Sequence, residues 1–211
     1  MTVIESELGI ARSTLSNWFR GLTLTEDQQA SLLNNSHIGL TNGRIKSVAW
    51  HNQQKAMRLA AAKDEADEVL DKIDCKDLAI LDIAFAMLYW GEGTKKDVTS
   101  LGSSDPQILK FMLAALKLNY SITPKMVRCY LHLRADQDAE EMKSYWSSNL
   151  NIPISCFNGV SYDPRTSGRP TYPGYKGVCV IYCGNIAIQR KLFYLYNGFC
   201  ERVEKVFNLG D

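Results

Sequence analysis

The chain has 211 residues, of which 45% are hydrophobic and 22% charged, with 14 glycines and 6 prolines; this balance suits folded domains and excludes collagen-like or wholly disordered chains. No run approaches the roughly 18 apolar residues that span a bilayer, and the first residues lack a basic region followed by an apolar core, so a cytoplasmic protein without membrane contact is expected. The 6 cysteines (Cys75, Cys129, Cys156, Cys179, Cys183, Cys200) include no CxxC pair and read as thiols in a reducing compartment, while a net charge of +1 excludes a uniformly basic nucleic-acid binder.

Charge distribution says more than its sum. Between Ala11 and Lys63 the basic residues Arg12, Arg20, Arg44, Lys46, Lys55, Arg58 and Lys63 face only Glu26 and Asp27, whereas the stretch from Asp64 to Asp82 is mostly acidic. The basic part is the better partner for phosphates. Three segments are expected: residues 1–33, a helix-turn-helix segment; 34–73, a linker and long helix; and 74–211, an α/β domain.

Thr2 to Gly21 reads as helix, turn, helix. Gly9 supplies the break between Leu8 and Ile10, and Leu15, Trp18 and Phe19 recur at helical spacing, leaving Arg12, Ser13, Thr14, Ser16, Asn17 and Arg20 to face outward. Thr25 followed by Glu26, Asp27 and Gln28 has the pattern of an N-cap, predicting a short helix to Leu33. The polar stretch from Asn34 to Gly43 reads as a linker, and Arg44 to Leu70 as a spacer helix.

From about Asp74 the most apolar helix of the chain runs through Leu78–Trp90 with little polar face, which predicts burial on nearly all sides; it ends at Gly91-Glu92-Gly93. A strand at Val98–Leu101 follows, then a helix opened by Asp105 and Pro106. Met126–Leu133 reads as a strand, Asp138–Leu150 as a helix and Ile154–Tyr162 as a strand. Asp163–Lys176, with three prolines and the cations Arg165, Arg169 and Lys176 beside Tyr162, Tyr172 and Tyr175, reads as a mobile basic loop able to track a nucleic-acid backbone, or as a loop with no role. Val178–Tyr182 is the last strand, and Ile186–Phe207 is helical with a break expected near Asn197–Gly198.

A helix placed in the major groove needs short polar residues to reach base edges and cations to hold phosphates. Ser13, Thr14, Ser16 and Asn17 supply the first, Arg12 and Arg20 the second, and Asn17 suits a bidentate contact to adenine. The segment Glu7-Leu8-Gly9-Ile10-Ala11-Arg12-Ser13-Thr14-Leu15-Ser16-Asn17-Trp18-Phe19-Arg20-Gly21 resembles the second and third helices of resolvase-type helix-turn-helix domains. The seven residues before Leu8 leave no room for the usual first helix, so the helix after Thr25 would have to complete it. The alternative is a relic whose apolar face only packs on the rest.

Phe85-Ala86-Met87-Leu88-Tyr89-Trp90-Gly91-Glu92-Gly93 sets a carboxylate between glycines at the foot of a helix. One carboxylate cannot build a metal site, but two brought together at a symmetric helix pair can. The stretch resembles the motif of the LAGLIDADG homing endonucleases, with Glu92 at the metal-binding acid, and the likeness extends weakly over residues 78–200. The resemblance implies an α+β core whose sheet lies on double-stranded DNA. It also implies a homodimer packed through Ile83, Ala86, Met87, Trp90 and Gly91, a roughly palindromic site, and two Glu92 carboxylates holding Mg²⁺ for phosphodiester cleavage. Met87 stands where that family usually has glycine, and a single strand precedes the Pro106 helix where a hairpin is usual.

Glu92 equally suits a helix-end acid bound by water or neighbouring amides. Lys95 and Lys96 follow it as cations near the phosphate or as solvated lysines. Arg128, Tyr130, His132 and Arg134 alternate onto one face of their strand, as a DNA-facing set or an ordinary solvated face. Two further readings stay open: a regulator that keeps the sheet for binding without cleavage, and a core that only dimerises while residues 1–63 contact DNA.

Overall fold

A computed structural model describes residues 2–207, which divide into two units between Lys72 and Ile73. Among the described residues there are seven α-helices and a four-stranded mixed sheet, an α+β fold, and no helix is long and apolar enough to cross a membrane.

In the first unit, α1 (Thr2–Leu8) and α2 (Arg12–Trp18) are joined through Gly9, whose φ of 64° makes the turn. Leu15 is buried, and Arg12, Ser13, Ser16, Asn17 and Arg20 are exposed. Next comes α3 (Glu26–Leu70), one helix of 45 residues where two helices and a linker were expected. Thr25 and Gln28 start it with reciprocal bonds, Thr25 N to Gln28 Oε1 at 3.0 Å and Gln28 N to Thr25 Oγ1 at 3.3 Å. The polar stretch from Asn34 to Gly43 contains no proline. Gly39 and Gly43 weaken a helix interior by about 1 kcal/mol each, which lowers its stability without supplying a stop.

The second unit is one layer of helices on one face of the sheet. The apolar helix α4 (Leu78–Glu92) leads to β1 (Thr99–Ser103), then α5 (Pro106–Tyr120), β2 (Val127–Arg134), α6 (Ala139–Leu150), β3 (Phe157–Asp163), β4 (Val178–Cys183) and α7 (Ile186–Phe207). The order across the sheet is β1-β4-β2-β3, with β2 and β3 parallel and β4 antiparallel to both β1 and β2. The last strand therefore lies between the first two. Ile154–Cys156, expected as strand, is a 3-10 turn, and α7 runs through Asn197–Gly198 without a break.

Side chains from all these elements meet in one core that includes Phe85, Tyr89, Met112, Leu131, Trp146, Ile181 and Leu192. The core thiols Cys129 and Cys179 are both buried; the neighbouring Cys129 thiol, with burial, pushes the Cys179 thiol up and leaves it inert. Contrary to the expected burial on nearly all sides, α4 buries only the face of Asp82, Phe85, Ala86 and Tyr89. Ile80, Ala84, Met87 and Gly91 form an exposed stripe at helical spacing on another face.

A polar knot ties α4, α5 and α7. Asp82 accepts from Tyr120 Oη at 2.8 Å and from Lys191 Nζ at 2.6 Å, and that ammonium lies 4.8 Å from the centre of the Tyr120 ring. Burial pushes the Asp82 carboxyl up, but the hydrogen bonds, led by that from Lys191, outweigh burial and hold it below the usual carboxylate range. A depressed folded-state value means stability that is present above the unfolded pKa, about 3.9, and lost as pH falls through the folded value. Asp82→Asn should therefore cost about 2 kcal/mol at pH 7, and the gap to the parent should close below about pH 4, as urea unfolding at both pH values would show.

Candidate nucleic-acid interface

Strand β2 alternates strictly. Val127, Cys129, Leu131 and Leu133 enter the core, while Arg128, Tyr130 and His132 are exposed and Arg134 is half-buried on the opposite face. The register sets Arg128 beside Tyr182, Tyr130 beside Val180 and Gly159, and His132 beside Val178 and Ser161. A bulge in β3, where Asn158 is the extra residue between the partners of Cys129 and Tyr130, keeps Phe157 inside and turns Gly159 outward.

Two glycines shape this face. A Cβ on Gly159 would lie 2.7 Å from the Tyr130 ring, and one on Gly102 would lie 2.9 Å from Val180 Cγ2. Side chains of the two inner strands therefore lie flat over the two outer ones. Tyr130 also meets Tyr182 edge to face at 5.3 Å. His132 is held by Ser161, with Nδ1 2.5 Å from Oγ. The result is a shallow, exposed face set with rings and the Arg128 guanidinium.

Asp163–Lys176, expected to be mobile, is pinned. Arg134 donates from Nε to Thr171 Oγ1 at 2.9 Å and from Nη2 to the Arg169 carbonyl at 3.0 Å. Asp136 accepts from Thr171 N at 2.7 Å and from its hydroxyl at 2.6 Å, and those two bonds hold its carboxyl below the usual range. Gln137 Nε2 donates to the Tyr175 carbonyl at 2.9 Å, and Trp146 Nε1 to that of Lys176 at 2.8 Å. Arg134 is thus a fastener of the loop more than a free cation on the face.

The loop cations divide. Arg165 is bound to Asp163 through Nε at 2.9 Å and Nη2 at 3.0 Å. Lys176 sits 3.6 Å from Glu141 and 5.7 Å from the centre of the Tyr145 ring. Arg169 is exposed.

At the foot of α4, Glu92 is exposed and Gly93 caps the helix. The ammonium of Lys95 donates to the carbonyls of Trp90 and, at 3.0 Å, Gly93, so it satisfies the helix C-terminus, where a cation is favoured. It points at backbone, not at a substrate phosphate. Lys96 is exposed at the loop surface. The loop from Thr94 to Val98 is held from within: the Tyr89 hydroxyl lies 3.1 Å from the Thr94 carbonyl and 3.3 Å from that of Val98, and it accepts Ser100 N at 3.1 Å. Burial pushes this phenol up, which keeps it protonated. The Gln189 amide donates to the Thr94 carbonyl at 3.0 Å and to that of Lys96.

Of the residues expected at a helix-pair interface, Met87, Trp90 and Gly91 are exposed and Ile83 is half-buried, whereas Ala86 is 1% exposed and belongs to this chain's own core. Among the described residues no three His, Cys, Asp or Glu side chains converge on a metal position. On α2, Asn17 Oδ1 accepts from Arg20 Nη2 at 3.0 Å, so the two side chains intended for base and phosphate also bind each other.

Residue-type reasoning passed over Tyr182, Ser161, Thr171, Asp136 and Gln189. For Gln189 a signal existed: an amide on the buried side of α7, next to Ile188 and Leu192. No protein-family model, curated protein sequence or solved structure matches the chain.

Proposed function

We propose that this protein binds double-stranded DNA in a sequence-specific manner as a homodimer, inside a reducing compartment such as the cytoplasm. The exposed sheet face carrying Arg128, Tyr130 and His132 is the observation that carries this reading. An exposed face that sets the Arg128 guanidinium beside aromatic rings suits a polyanion bearing aromatic bases. The exposed polar residues of α2, Arg12, Ser13, Ser16 and Asn17, give a second contact that extends the site, with Thr14 half-buried beside them. The exposed stripe Ile80, Ala84, Met87 and Gly91 on α4 is the natural contact between copies, and two-fold pairing calls for a roughly palindromic site.

A second reading, Mg²⁺-dependent cleavage, is favoured by the exposure of Glu92 at the end of that stripe and by the resemblance of its surroundings to the LAGLIDADG motif. One chain offers a single carboxylate there and Lys95 is engaged by backbone, so the residues of one copy do not fit the ion and no hydrolytic step follows from them. The second carboxylate would have to be Glu92 of the other copy, and a pairing that keeps the two apart would leave a non-catalytic regulator.

Selection of bound duplexes from a random library, followed by incubation of the enriched pool with and without Mg²⁺, tests both. Enrichment of a palindromic site is expected. Cleavage that needs Mg²⁺ and disappears in Glu92→Gln would establish the nuclease, a site bound and left intact the regulator, and failure to enrich any site would end the DNA-binding reading.

A further inference from the structure

Where β2 and β3 end, the pinned loop folds back beside the sheet and borders an open pocket of ≈ 390 Å³. It is lined by Tyr172, Tyr175, His132, Arg134, Asp163 and Val178. The volume is near the small end of ligand pockets, about 300–1,000 Å³, with room for one planar ring system and its sugar but not for a base pair. We propose that this pocket binds a single unpaired nucleobase of a nucleotide or nucleic-acid strand. That the base comes from DNA rests on the function proposed above; the pocket chemistry does not.

Three observations carry it. The rings of Tyr172 and Tyr175 pack on each other, 5.1 Å apart at 39°, and Tyr172 is 62% exposed although it lies in a pinned loop. An exposed ring braced by its neighbour on a fixed support presents a π-face, on which any base stacks. Arg134 spends Nε and Nη2 on Thr171 and the carbonyls of Arg169 and Pro170, leaving Nη1 without an acceptor among the described residues. That group and the His132 imidazole, turned by its bond to Ser161, are the polar handles a base edge requires. Finally, the loop is already fixed in place. Its bonds to Asp136, Gln137 and Trp146, and Gly177 at φ +73°, where a Cβ would strike Leu133 and the His132 carbonyl, hold the walls before any ligand arrives. Binding then costs little ordering entropy.

A base in a matched duplex must leave its stack to enter, at an energetic cost that is least at a mismatch or in a single strand. The experiment therefore compares four kinds of ligand with the full chain: a matched duplex, the same duplex with one central mismatch, a single strand, and the deoxynucleoside monophosphates. Deoxyribose 5-phosphate is the control without a base. Binding by Tyr172→Ala and Tyr172→Phe is measured against the parent, with near-ultraviolet circular dichroism to confirm the fold. Tyr172→Ala is expected to weaken at least one base-bearing ligand about tenfold while Tyr172→Phe restores it, and the ligand that responds identifies the source of the base. If deoxyribose 5-phosphate competes as well as the nucleotides, or if no ligand responds to Tyr172→Ala, the pocket does not hold a base. Nucleotide binding that depends on Tyr172 without duplex binding would sink the DNA reading and keep the pocket. Duplex binding with no dependence on Tyr172 for any ligand would do the reverse.

Discussion

Arg128→Ala combined with Arg169→Ala is expected to weaken duplex binding about thirtyfold at 0.15 M salt. The magnitude follows from counterion release: each phosphate neutralised contributes a slope of roughly −0.9 in log affinity against log salt, about fivefold at 0.15 M relative to 1 M. The double variant should also flatten that slope by about 2, and the loss should be uniform across sequences. Arg165→Ala and Lys176→Ala serve as the contrast, with less than about a twofold effect each, because a cation already matched to a carboxylate releases few counterions on meeting a phosphate. Arg165 is matched to Asp163, and Lys176 lies beside Glu141 and the Tyr145 ring. Titrations of one labelled duplex at several salt concentrations decide the matter. Equal losses for all four residues would mean that a diffuse positive field, rather than this face, holds the DNA.

Gly93→Ala should destabilise the protein by about 3 kcal/mol, combining the strain of overpacking with the loss of a buried hydrogen bond. An added Cβ would lie 2.5 Å from the Tyr89 carbonyl oxygen and 2.7 Å from its ring. Tyr89 is fully buried and holds the loop after α4, so it has nowhere to move. Gly91 is only two residues away and behaves in the opposite sense. Nothing lies within 4 Å of a Cβ there, so Gly91→Ala should stabilise the folded chain by about 0.5–1 kcal/mol through helix propensity. If copies pair through the α4 stripe, the same substitution should weaken the dimer. Denaturant unfolding read beside sedimentation velocity separates the two effects, and a Gly91→Ala variant that is more stable and equally dimeric would remove α4 from the interface.

The Gly-Glu-Gly run shows where reading residues in order reaches its limit. Both glycines look alike in the chain, yet one is needed for close packing on Tyr89 and the other faces open space, a distinction made by Tyr89 and by the return of the chain at Leu101, which bridges Gly93. Strand β2 was legible because its alternation of Arg128, Tyr130, His132 and Arg134 with apolar residues is local, with a period of two. The order of the loop after Asp163 was not legible, since its anchors Asp136, Gln137 and Trp146 stand some thirty residues earlier and only the tertiary fold brings them together. Composition there describes solvent preference and says nothing of partners. The stretch from Asn34 to Gly43 misled in the other direction: polar residues with two glycines resemble a connection, but the capping box at Thr25 starts a helix and no proline ends it.

The strand order has a consequence for how the protein is made. Because β4 lies between β1 and β2, β1 has no neighbouring strand, and β2 has only β3, until β4 emerges from the ribosome. At about 5–20 residues per second, the stretch from the end of β2 to the end of β4 takes several seconds to translate. For that interval the nascent chain carries an unfilled slot flanked by unpaired strand edges, the feature that most readily captures neighbouring chains. A chain that stops before Val178 would then lose the middle of its sheet rather than its margin, so the stretch from Val178 onward decides whether the rest of the α/β unit stays folded.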